Sequence, residues 1–188
     1  MLDDFTVTGP SLLTKVYAAV EGFGTNFVSL SNVTAWNVEI YSSLSAASSS
    51  LAGDVYSHIF APASVTLTTP FGGDANAALF NASTAIVLPA GTYYVAVLAD
   101  NSAAANGEVG VYATTGPAGA TPGGLNACQV NPGGGFGFTS NPNPLGLDAA
   151  YPLGGVAVPE PAAALSLCAT AGMLALSRRR RHRISFPA

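Results

Sequence analysis

Side-chain oxygens are the densest chemistry in this sequence. Asp100-Asn101 and Asn106-Gly107-Glu108 gather carboxylate and amide groups within nine residues, and Asp74-Ala75-Asn76 does the same in a second loop. Calcium takes about six to eight oxygens from loops of this kind, so Asp100, Asn101, Asn106 and Glu108 are the candidate ligands. Asp, Asn and Gly also fill turns for purely conformational reasons, and that reading takes precedence, so no cofactor is called for. His58 is the one histidine before the C-terminal tail. With no second histidine and no paired cysteines it does not suggest zinc, and beside Tyr56 and Phe60 it reads as a core or boundary residue. No G-x-S-x-G elbow accompanies the many serines. Glu21, Glu39, Asp54 and Glu108 could in principle supply a carboxylate pair for glycoside hydrolysis, but their spacing selects no two of them. Gly133-Gly134-Gly135 does not lead a strand into a helix, which removes a phosphate-loop reading. Cys128 and Cys168 give neither a disulfide framework nor a zinc site. The chain is not read as an enzyme.

The elements that would carry these groups are short strands. Residues 4–8 alternate and stop at Gly9-Pro10, 13–20 alternate around Val16 and Ala18, and 26–30 follow Gly22 and Gly24. Over 33–41 the alternation is clearest and points Trp36, Val38 and Ile40 into a core. Residues 42–50 read as a polar loop, 55–61 and 65–69 as strands, and 77–80 as a short edge strand. Residues 85–88 and 92–99 flank Pro89-Ala90-Gly91 as a hairpin-like unit, with Tyr93, Val95, Val97 and Ala99 on one face. Residues 109–113 form the last clear strand, and Gly, Pro and Asn dominate 115–143. Many short strands, frequent turns and no amphipathic helix predict an all-β body, a β-sandwich of jelly-roll or Greek-key type.

Charge divides the chain in two. Residues 1–158 hold Lys15 as their only cation against nine carboxylates, a formal −8, whereas the tail sets five arginines against Glu160, a formal +4. An acidic body without arginine has no electrostatic footprint for nucleic acid. In the tail, Pro159-Glu160-Pro161 precedes an uncharged run over 162–177 that includes Ala162, Leu165, Leu167, Met173, Leu174 and Leu176. Proline at 161 suits a first helical position. A 16-residue helix reaches roughly 24 Å, short of the ~30 Å hydrocarbon core. The cluster Arg178, Arg179, Arg180, Arg181 and Arg183 can snorkel to cover part of that deficit. It also sets orientation: the arginines stay cytoplasmic and residues 1–158 lie outside.

A Pro-Glu-Pro motif, a short apolar helix and an arginine cluster, in that order at a C-terminus, resemble the PEP-CTERM sorting tail of bacterial surface proteins. Residues 36–43, 88–95 and 148–155 also resemble segments of PEP-CTERM ectodomains. The resemblance implies that an exosortase-type membrane enzyme recognises Pro159, Glu160 and Pro161, cuts near them, and passes the body to the cell surface or extracellular matrix. A structural or adhesive role among exopolysaccharides is implied with it.

The expected organisation is an exported domain over 1–155, a sorting tail with a single transmembrane helix over 156–183, and a short cytoplasmic end at 184–188. Gly154-Gly155 and Pro159 are expected to be a flexible hinge between body and tail. Residues 1–8 contain neither a basic n-region nor an apolar h-region, so the export signal is expected upstream of Met1. The alternative function is a carbohydrate-binding module using Tyr93, Tyr94, Tyr112 or Tyr151 as stacking platforms, and a glycan-active hydrolase ranks behind it.

Overall fold

A computed structural model of the chain describes residues 1–69, 76–114, 126–132 and 140–158. Its strands are β1 (Leu2–Val7), β2 (Ser11–Phe23), β3 (Ala35–Tyr41), β4 (Tyr56–Phe60), β5 (Thr66–Thr68), β6 (Asn76–Leu88) and β7 (Gly91–Asp100). They continue with β8 (Glu108–Val111), β9 (Ala113–Thr114), β10 (Cys128–Gln129), β11 (Asn143–Pro144), β12 (Asp148–Ala149) and β13 (Leu153–Ala157). Two short helices, α1 (Leu44–Ser49) and α2 (Ala103–Asn106), interrupt them. One sheet runs β11-β10-β1-β7-β3-β4. The other runs β13-β2-β6-β5, with β8 also paired to β2, and β12 and β9 form a separate ladder. Every pairing is antiparallel, so the chain is all-β and sandwich-like among its described residues.

Period-2 alternation decides which side chains enter the core. Trp36, Val38 and Ile40 of β3 are buried, as the sequence predicts, and Tyr93, Val95 and Val97, which the sequence places on one face of β7, are buried with them, facing Leu13, Val16, Val20, Phe80 and Leu88 of the second sheet. Trp36, 1% exposed, meets Phe80 edge-on at 5.9 Å, and Phe60 meets the same ring at 5.4 Å. Aromatic pairs in this arrangement contribute about 0.5–1.5 kcal/mol beyond their buried area.

Four sequence expectations need correction. Residues 26–30 form no strand: Ser29 accepts from the N–H of Ser31 and starts a 3-10 turn, Leu30–Asn32. Phe27 packs against Gly107, where φ is +72° and a Cβ would lie 2.6 Å from Phe27 Cα, so only glycine fits there. Residues 42–50 are a helix in part. Ser43 caps α1 by accepting from Ala46 N at 3.1 Å, while Ser48 and Ser49 bond the carbonyls of Leu44 and Ser45. Ala47 then covers the outer face of the six-stranded sheet near Leu2, Tyr41 and Ala96.

The third correction joins residues 77–80 and 85–88 into one 13-residue strand, β6, held between β2 and β5. A register shift in β2 between Leu13 and Lys15 accommodates its length. The fourth removes the glycine hinge. Gly154 and Gly155 belong to β13, paired with Lys15 and Leu13 of β2 across a bulge. A Cβ on Gly155 would sit 2.4 Å from Leu12 O, so this glycine permits close strand approach. Among the described residues, no helix is long and apolar enough to cross a membrane.

Candidate functional site

The loop from Asp100 to Glu108 closes on itself through hydrogen bonds. β7 delivers Asp100, whose carbonyl accepts from Thr34 N at 2.9 Å and Thr34 Oγ1 at 3.0 Å. Asn101 Nδ2 donates to Gly107 O at 3.0 Å, and Asn106 Oδ1 accepts from Asn32 Nδ2 at 3.4 Å. Asp100 and Glu108 are exposed at the two ends of this segment. The loop therefore ties Asn101 and Asn106 to different partners. Asn101 Oδ1 is buried without a hydrogen-bond partner, a single oxygen where calcium needs about six to eight. Among the described residues, no group of three or more His, Cys, Asp or Glu is placed to hold a metal ion.

The other sequence candidates are scattered over the body. His58 in β4 is exposed, with its ring edge-on to Phe60 at 4.5 Å and stacked near Tyr56 at 6.1 Å. Glu39 is buried, and burial raises its pKa although Gly53 N, at 2.7 Å, and the Ser57 side chain both donate to it. Asp54 is exposed; hydrogen bonds from the Ser42 hydroxyl and Ser42 N hold its pKa down. Both carboxylates brace the connection around α1. Tyr41 donates to Leu51 O at 2.6 Å in the same region, and burial pushes its phenol up to about 12. Of the expected stacking platforms, Tyr93 packs on Phe5 at 5.7 Å and Tyr151 is wholly buried. Tyr94 lies on the opposite face of β7 from Tyr93, against the cluster under α1. These rings do not form one exposed platform.

A buried carboxylate pair escaped the sequence reading. Asp3 of β1 and Asp148 of β12 are 1% and 0% exposed, and their side chains hydrogen-bond to each other. Asp3 Oδ2 also accepts from Ala149 N at 2.8 Å, and Asp3 Oδ1 from Asp4 N at 3.0 Å. Burial first, then the bond to Asp148 and its charge, raise the Asp3 pKa to about 7. Beside the pair, Tyr151 donates its hydroxyl to Met1 O at 2.8 Å and accepts from Val97 N at 3.3 Å. These bonds fasten the first strand of the domain to its last segment. The signal available in the sequence was a lone Asp148 ahead of the apolar Ala149-Ala150-Tyr151.

The C-terminal edge of the body is β13, and beyond it Val158 N donates to Pro10 O at 2.7 Å. A cavity of about 270 Å³ opens at this end, lined by Phe5, Thr6, Thr8, Ser11, Leu12 and Val156 among others. The expected sorting motif Pro159, Glu160 and Pro161, the apolar run over 162–177 and the arginine cluster over 178–183 lie outside the described residues. Asp74 and Gly133-Gly134-Gly135 do as well. Comparison of the chain with protein-family models, curated proteins and solved structures finds no match.

Proposed function

We propose that this chain is an exported surface or extracellular-matrix protein, and that its C-terminal tail is a sorting signal read by an exosortase-type membrane enzyme. The observation that carries the reading is the order of the tail: Pro159-Glu160-Pro161, sixteen uncharged residues, then five arginines within six positions. The all-β body ends at β13 immediately before that motif, which supports a folded cargo followed by a processing site. In this account the tail spans the membrane with the body outside, and the enzyme cuts near Pro159, Glu160 and Pro161. The body, structural or adhesive and of no catalytic role, passes to the envelope or to an exopolysaccharide matrix. Its jelly-roll or Greek-key connectivity belongs to the same proposal.

Replacing Arg178, Arg179, Arg180 and Arg181 with Ser tests the orientation. The account expects part of the population to lose membrane retention or expose the C-terminus outside, because the positive-inside bias is removed. Unchanged fractionation and unchanged protease accessibility would contradict it.

A further inference from the structure

The body is polarised along its strands. At one end β1 finishes at Val7, β2 begins at Ser11, β6 finishes at Leu88, β7 begins at Gly91 and β13 finishes at Ala157. The segments 5–14, 86–93 and 152–158 at this end contain no charged residue, and the exposed Asp54 at the same end lies in the connection from β3 to β4 of the other sheet. Glu21 on β2, Asp100 closing β7 and Glu108 opening β8 mark the opposite end, where Phe23 pairs with Glu108.

These uncharged segments also present an apolar row. Leu12 is in register with Val87 on one side and Val156 on the other, and directly opposed residues share a sheet face. Leu13, Ile86 and Leu88, the chain neighbours of Leu12 and Val87, point into the core, so the row faces outward, with Val87 65% and Val156 61% exposed. Lys15, the only lysine of the chain, is exposed on the next stretch of β2, paired with Asn81 and Gly154.

The chain leaves the body beside this row, because Val158 N is bonded to Pro10 O. Only residues 159–161 separate it from the apolar run. Three residues reach at most about 10 Å when fully extended. We infer that the Leu12–Val87–Val156 face seats against the lipid bilayer that holds the tail. This rests on the reading of the tail as a membrane span. Apolar side chains gain by entering the headgroup boundary, the segments that carry the row have no charge to desolvate, and Lys15 is placed to reach lipid phosphate while its stem covers apolar surface. The carboxylates Glu21, Asp100 and Glu108 are held at the far end, away from the lipid surface.

The test uses the full chain in phosphatidylcholine nanodiscs carrying a gadolinium-chelating lipid, with methyl-labelled Val, Leu and Ile. Val87 and Val156 are expected to relax several-fold faster than Ile59 and Val28, which are exposed on other faces. Leu165 and Leu176 report on the tail independently. If these two relax quickly while Val87 and Val156 match Ile59, the docking is overturned and the membrane span stands. If Leu165 and Leu176 are unaffected, the span itself is wrong. Concentration-dependent shifts at Val87 and Val156 without lipid-induced relaxation would assign the face to a second copy of the chain and overturn the proposal.

Discussion

Asp3 and Asp148 are hydrogen-bonded to each other inside the protein, joining β1 to β12 across most of the length of the chain. Two buried carboxyl groups in contact are stable when they share a proton, since like charges at that distance cannot both ionise cheaply. The pair thus makes closure of the body's ends sensitive to protonation.

The sign of that sensitivity follows from Asp3, whose pKa rises from 3.8 to about 7 on folding. The folded state holds the proton more tightly than the unfolded chain. Its stabilising contribution is therefore full below about pH 4, declines as pH rises towards 7, and stays flat above. The decline reaches at most about 1.4 kcal/mol per pH unit. Asp148→Asn, which donates to an ionised Asp3, is expected to flatten this part of the profile relative to the parent. Urea unfolding from pH 4.5 to 8.5 measures it; parallel profiles for the two proteins would remove the pair from the account.

Trp36→Ala is expected to cost about 3–5 kcal/mol. The indole is buried between the sheets against Phe80, and typical domains have only about 5–15 kcal/mol in total. Denaturant midpoints check this, and an unchanged midpoint would mean that the phase of β3 is wrong.

The phases of β3 and β7 were legible because alternation is local: Trp36, Val38, Ile40, Tyr93, Val95 and Val97 need only their neighbours to be assigned a face. Elements whose cause is remote or not periodic were not legible. α1 is six residues long and depends on serine caps instead of an apolar stripe. The middle of β6 carries Asn81 and Ser83, which read as a loop until β2 is seen to pair with the strand at Asn81 and again at Ile86, across a register shift. Gly154-Gly155 looks like a hinge in isolation and becomes a strand only against Leu12 and Leu13. Asp3 and Asp148 have no motif in common and meet only in the fold. The calcium reading of 100–108 named Asn101 and Asn106 from the sequence but could not see that Asn101 Nδ2 is turned to Gly107 O and that Asn106 Oδ1 accepts from Asn32.

Gly155→Ala tests the strand assignment at the end of the body. The added methyl would collide with Leu12 O, so the pairing of β13 with β2 should loosen. Hydrogen exchange over 153–157 is expected to accelerate well beyond that of β3. Equal protection in parent and variant would show that β13 is not packed as described.

The central claim is that the body is a cargo separated from its tail after export. Intact-mass analysis of the native protein, recovered from the cell surface and from the medium, measures both termini at once. The account predicts a C-terminus near Pro159-Glu160-Pro161, with the arginines at 178–183 lost and residues 1–158 retained. Surface or secreted protein that still ends at Ala188, or a chain found only in the cytoplasm with its tail intact, would contradict it.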